Sequence, residues 1–85
     1  MTNSEKLFLI LAEELNFRRA AARAFLSQQG LSDHIRRLEG CYGTPLFYRR
    51  PRVSLTPAGE AVQRTLQRVK NLESGLEAEL AELEE

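Results

Sequence analysis

The chain has 85 residues, 42% of them hydrophobic and 28% charged, a composition suited to one small domain. A domain of this size buries only about 60% of its unfolded surface, which argues against an enclosed active-site cavity and for support from a partner subunit. Its longest apolar run, Leu7–Ala12, is far short of the roughly 20 residues that span a bilayer, and no secretion signal opens the chain. A lone Cys41 and a lone His34 make neither a disulfide nor a metal cluster, so a cytoplasmic domain with no cofactor, no metal and no membrane contact is expected.

Thr2 and Glu5 are spaced as a capping box, and Leu7, Phe8, Leu11 and Leu15 follow at helical spacing, which predicts a first helix to about Leu15. Asn16-Phe17 interrupts that pattern. Arg18–Phe25 is alanine-rich and predicts a short second helix able to approach its neighbours closely. After a turn at Leu26-Ser27, Ser27 is placed to cap a third helix whose apolar residues are Leu31, Ile35 and Leu38. Gly43 supplies its left-handed cap and Pro45 a stop. Two short helices joined by a tight turn form a helix-turn-helix candidate.

The period then changes. Leu46–Arg49 and Arg52–Leu55 predict two short strands around a turn holding Arg50 and Pro51. Thr56-Pro57 opens a fourth helix, with Gly75 its only weak point, of about 28 residues or 42 Å. The fold class expected is mainly α: a winged helix-turn-helix, with a three-helix core and a two-stranded wing over residues 1–56, followed by a long linker or dimerisation helix over 57–85.

Along helix 4, Val62, Leu66, Val69, Leu76, Leu80 and Leu83 repeat in a heptad register, with Leu72 beside the one broken site at Glu73. The first two turns can lie on the chain's own core. No other sequence remains to cover Leu72–Leu83, and a lone helix in water is marginal. Pairing with a second copy through Val62, Leu66, Val69, Leu72, Leu76, Leu80 and Leu83 is therefore expected.

The formal net charge of zero conceals a strong segregation. Residues 1–15 hold one base and three acids, residues 16–70 eleven bases and three acids, and residues 71–85 six glutamates and no base. Ten of the eleven central bases are arginine, whose planar fork suits phosphates and base edges. Solvated helix faces would also be charged, but separation of sign along the chain favours a polyanionic partner, double-stranded DNA. Gln28, Gln29, Ser32, Asp33 and Arg36 face away from the predicted core of helix 3, and amides and hydroxyls at a helix start can read base edges in a major groove. Each alone is equally well read as an ordinary polar residue in contact with water; as a set on a basic segment they favour DNA. Phosphate contacts are assigned to Arg18 and Arg19, to Ser27 and Arg37, and to Arg49, Arg50 and Arg52 of the wing, with Arg23 a further clamp.

Phe17, Ala20-Ala21, Ser27-Gln28, Ser32, Ile35, Leu38-Glu39, Gly43, Pro45-Leu46-Phe47, Arg49, Leu55-Thr56 and Ala58-Gly59 resemble the pattern of LysR-type transcriptional regulators. That pattern reads S-F-x-x-A-A-x-x-L-x-x-S-Q-x-x-x-S-x-x-I-x-x-L-E, then G-x-x-L-F-x-R and L-T-x-A-G. The resemblance implies helix 3 in the major groove, the wing near the minor groove, and helix 4 pairing antiparallel with its copy over an inverted-repeat site. It also implies an effector-binding domain in a longer parent, so that any small-molecule effector acts through a domain not in these residues. Several positions depart from it. Arg18 stands where Ser or Thr caps helix 2, which predicts a poorly capped start. Ala24 replaces a larger apolar residue, a loss that Phe25 or Phe8 is expected to fill. Gln29 replaces a proline, and Asp33 a basic or amide residue.

Two other classes remain. A winged helix can dock protein through the Gln28–Arg37 face. An enzyme is disfavoured, because Cys41 and His34 lie about 10 Å apart along one helix and form no nucleophile–base pair; Cys41 is read as a small filler and His34 as a surface histidine.

Overall fold

A computed structural model describes residues 1–84; Glu85, the last residue of the predicted fourth helix, lies outside them. The elements are α1 (Asn3–Glu14), α2 (Phe17–Arg23), α3 (Gln28–Tyr42), β1 (Phe47–Tyr48), β2 (Ser54–Leu55) and α4 (Pro57–Leu83). The strands pair antiparallel, Phe47 opposite Leu55 and Tyr48 opposite Ser54. They are two residues each, shorter than expected, because residues 49–53 form the turn of the wing.

Side chains set the helix starts. Thr2 and Glu5 form the capping box of α1, and the Ser27 hydroxyl accepts from the Gly30 amide at 3.0 Å. Helix α2 corrects the expectation of a poorly capped start. It begins one residue earlier, and Asn16 caps it by accepting from the Arg19 amide at 2.8 Å. Asn is among the best N-cap residues, so the apparent break in the pattern is the start signal.

Phe8, Leu11, Leu31, Ile35 and Leu46 are the largest fully buried side chains, and Ala20 and Ala21 bring α2 close against α1 and α3. The Phe8 and Phe47 rings meet at 5.3 Å and a 51° tilt, joining α1 to the wing. Ala24 is partly buried against this core. Phe25 does not fill in for it: it is 94% exposed, in a left-handed conformation at φ 58°. Cys41 is also exposed rather than packed as a filler. His34 Nδ1 meets Ser4 Oγ at 2.9 Å and ties α3 to α1.

Two contacts orient the wing. Thr56, buried, caps α4 by accepting from the Gly59 amide at 2.9 Å and donates its hydroxyl to the Pro45 carbonyl at 2.8 Å. Gly59 sits so close to the β1 entry that a Cβ there would lie 2.0 Å from the Leu46 carbonyl oxygen, which no side chain can accommodate. On the other side, Glu39 Oε2 accepts from the Leu46 amide at 2.7 Å and the Phe47 amide at 3.3 Å.

Leu66 is 4% exposed and belongs to the chain's own core, with Val62 packed beside it. This corrects its assignment to a pairing surface: the stretch of α4 that lies on the domain is longer than two turns. Beyond it Leu72, Leu76, Leu80 and Leu83 are exposed. Leu66→Ala should lower unfolding free energy by about 2–4 kcal/mol in urea titration of the chain, whereas Leu72→Ala should leave the fold of a single chain within about 0.5 kcal/mol. Glu39→Ala strands two backbone amides at the wing root and should cost roughly 2–4 kcal/mol. Amide exchange at Leu46 and Phe47 faster than in the rest of the core would locate that loss.

Candidate nucleic-acid interface

Helix α3 divides its side chains by the 3.6-residue turn. Leu31, Ile35 and Leu38 point into the core. Gln28, Gln29, Ser32 and Arg36 emerge together, and with Phe17, Arg49 and Val53 they line an open groove of about 420 Å³ between α3 and the wing. Four of the five expected base readers thus share one groove wall. Asp33 is the fifth; its Oδ1 accepts from Gln29 Nε2 at 2.8 Å. That bond fixes the Gln29 rotamer while leaving its carbonyl oxygen and a second N–H free, the pair that adenine requires.

The arginines fall into two groups. Arg19, Arg23 and Arg49 are held within the chain. Arg19 Nε lies 3.6 Å from Glu14, and Arg23 lies 2.7 Å from Glu13 and 3.2 Å from Glu14. Hydrogen bonds to those two carboxylates raise the Arg23 pKa above its already high ordinary value, so this guanidinium stays charged and occupied. Arg49 contacts both Glu39 carboxylate oxygens, at 3.2 and 3.4 Å, donates to the Phe47 carbonyl at 3.2 Å, and lies 5.5 Å from the centre of the Phe17 ring. It braces the root of the wing.

Arg18, Arg36, Arg37, Arg50 and Arg52 are exposed and form no ion pair among the described residues. Arg50 and Arg52 occupy the wing turn and Arg18 the first turn of α2. Arg36 reaches the groove, while Arg37 turns toward the start of α1, beside Thr2, Ser4 and Glu5. Ser27 is engaged as the α3 cap but remains at the surface.

Phe17 and Val53 complete the groove floor. Phe17 stands in the sequence as a pattern break and as the first residue of the LysR-type pattern, with no groove role assigned to it; its signal is an aromatic residue directly after a good capping residue. Glu39 stood in the motif without a role, because its partners arrive from seven to ten residues later in the chain.

The comparisons agree with this architecture. A family model for bacterial regulatory helix-turn-helix proteins of the LysR family matches residues 3–60. The transcriptional regulator XapR of Escherichia coli is 49% identical over 65 residues, 75% of this chain and 22% of that protein. Among solved structures, the BenM DBD in complex with benA site 1 DNA superposes with a TM-score of 0.91 at 25% identity, covering 98% of this chain and 99% of that one. DarR of Vibrio fischeri, solved with DNA, gives a TM-score of 0.84 at 30% identity over 98% of this chain and 30% of its own. The chain spans about a fifth of the length of the first curated relatives it matches. Four helices, a short wing, and residues matched from the first helix into the fourth place it: the chain belongs to the LysR family of bacterial helix-turn-helix regulatory proteins.

Proposed function

We propose that this chain is the DNA-binding part of a transcriptional regulator, and that it binds double-stranded DNA as a homodimer on an inverted-repeat site. The observation that carries the reading is the groove wall of Gln28, Gln29, Ser32 and Arg36, open to solvent and flanked by the unpaired arginines of the wing. The wall enters the major groove and reads base edges, with Gln29 held ready by Asp33. Arg50 and Arg52 follow the phosphates or the adjacent minor groove, and Arg18 meets the backbone where α2 crosses it. Ser27 and Arg37 are secondary phosphate contacts. Arg19 and Arg49 reach DNA only by leaving their glutamates, so they act chiefly by holding α2 and the wing in place. The complexes of BenM and DarR with DNA support the reading by likeness of fold and sequence.

Residues 1–56 are the DNA-reading unit and residues 57–85 the pairing helix, through Leu72, Leu76, Leu80 and Leu83 with Val62 and Val69 at its edge. The chain performs no catalysis of its own and takes no cofactor. It works in the cytoplasm on chromosomal DNA, and a small-molecule effector is sensed elsewhere in a longer protein. Among the described residues no helix is long and apolar enough to cross a membrane.

Selection of bound duplexes from a random pool at near-physiological salt should enrich an inverted repeat. On that site Arg50→Ala or Arg52→Ala should weaken binding to all duplexes and reduce the salt slope by about one per lost phosphate contact. Ser32→Ala or Gln29→Ala should instead cost roughly 1–3 kcal/mol of discrimination at particular base pairs. Fluorescence anisotropy with the selected and a scrambled duplex, at several salt concentrations, separates the two classes. Equal losses on both duplexes from the α3 changes would remove the base-reading role, and binding insensitive to salt would point to a protein-docking surface.

A further inference from the structure

Helix α4 carries charge in two blocks. Arg64, Arg68 and Lys70 precede residue 71 with no acid among them after Glu60, and Glu73, Glu77, Glu79, Glu82 and Glu84 follow with no base. The acidic block lies at the C-terminal end of a helix with no basic residue in its last turn. Carboxylates there oppose the helix dipole, so the arrangement is unfavourable for a helix alone in water. Four exposed leucines run through the same stretch.

Spacing joins the two blocks. Arg68 and Glu79 are eleven residues apart, about three turns, and Arg64 and Glu82 are eighteen apart, about five turns. Each pair therefore shares one side of α4, and all four side chains are exposed without an ion pair among the described residues. Both pairs are centred on residues 73–74. A two-fold axis at that point lays Leu72 of one helix near Leu76 of the other and brings Arg68 to Glu79 and Arg64 to Glu82, each twice by symmetry. A parallel pair would set arginine against arginine and glutamate against glutamate.

We propose that Arg68 and Arg64 of one copy pair with Glu79 and Glu82 of a second, so that the two charge blocks of α4 fix the antiparallel orientation of the dimer and its choice of partner. This rests on the homodimer reading above and goes further, since leucines alone would accept any helix with an apolar stripe.

Charge exchange in the 85-residue chain tests it, read by sedimentation at low salt with helix content as a control for folding. Arg68→Glu turns two attractions into two repulsions and should weaken dimerisation roughly tenfold or more. Adding Glu79→Lys should restore it. The double variant should then pair with itself but not with the wild-type chain, because mixed pairs meet like charge at both sites. Restoration together with exclusion from wild-type dimers supports the proposal. A dimer that tolerates Arg68→Glu, or a double variant that mixes freely with wild type, overturns it while leaving the homodimer standing. A wild-type chain that stays monomeric at all concentrations overturns the homodimer reading as well, with the leucines then covered by another segment.

Discussion

The carboxylate of Glu39 is the constraint on which the interface geometry depends. It lies in the last third of α3, the helix whose first turn carries the groove wall, and it receives two amides from the root of β1 and the guanidinium of Arg49. A hairpin of two-residue strands has almost no stability of its own. Its position relative to α3 comes from this one side chain, from the Phe47 ring against Phe8, and from Thr56 and Gly59 closing the far side. A charge-assisted bond to a mostly buried carboxylate is stronger than a neutral one, and the three donors converge from β1 and the residues on either side of it. The distance between groove wall and wing arginines is thereby fixed before any ligand arrives, which spares the ordering cost of binding.

The same economy governs the other arginines. Eight of the central arginines are legible as a basic surface, yet they do different things. Arg19 and Arg23 face the acidic end of α1 and are neutralised by Glu13 and Glu14, which pins α2 at its proper angle. Arg49 spends its charge on Glu39. What remains outward is a smaller set, Arg18, Arg36, Arg50 and Arg52, placed around the groove, with Arg37 to one side. A count of bases overstates the electrostatic footprint, because acids distant in sequence return to meet them in space.

Local signals were the legible part. Caps at Thr2, Ser27 and Thr56, the left-handed Gly43 and the spacing of Leu31, Ile35 and Leu38 depend on neighbours within one turn, and all stand in the structure. Asn16 is equally local, but its capping signal coincides with the break in the apolar pattern. Leu66 was harder: a heptad stripe looks the same whether it meets its own core or another helix, and only the reach of α1 beneath α4 decides where one use ends and the other begins. Phe25 ran against composition altogether. A large aromatic at φ 58° and 94% exposure contradicts both helix-end preference and burial, and the backbone decides it, since the amides of Phe25 and Leu26 close the end of α2 on Ala22 and Ala21. The turn's geometry outranks the side chain's solubility.

Length imposes the last constraint. The molecule measures 52 × 26 × 19 Å, and its long dimension is α4, 27 residues or about 40 Å of helix. Its contacts with the body run as far as Glu73, whose carboxylate meets the Met1 amine at 2.6 Å. The remainder stays helical at an end loaded with glutamate, with no cap among the described residues beyond a bond from the Glu84 amide to the Ala81 carbonyl. Isolated helices of that length are marginal in water, so its order is linked to whatever covers it. In the proposed homodimer a second copy would cover the leucines, supply positive charge opposite the glutamates and set two groove walls at a fixed separation. Reading two half-sites and completing α4 would then be a single thermodynamic event: DNA that fits both walls would stabilise the pair, and the pair would order the helix that spaces the walls.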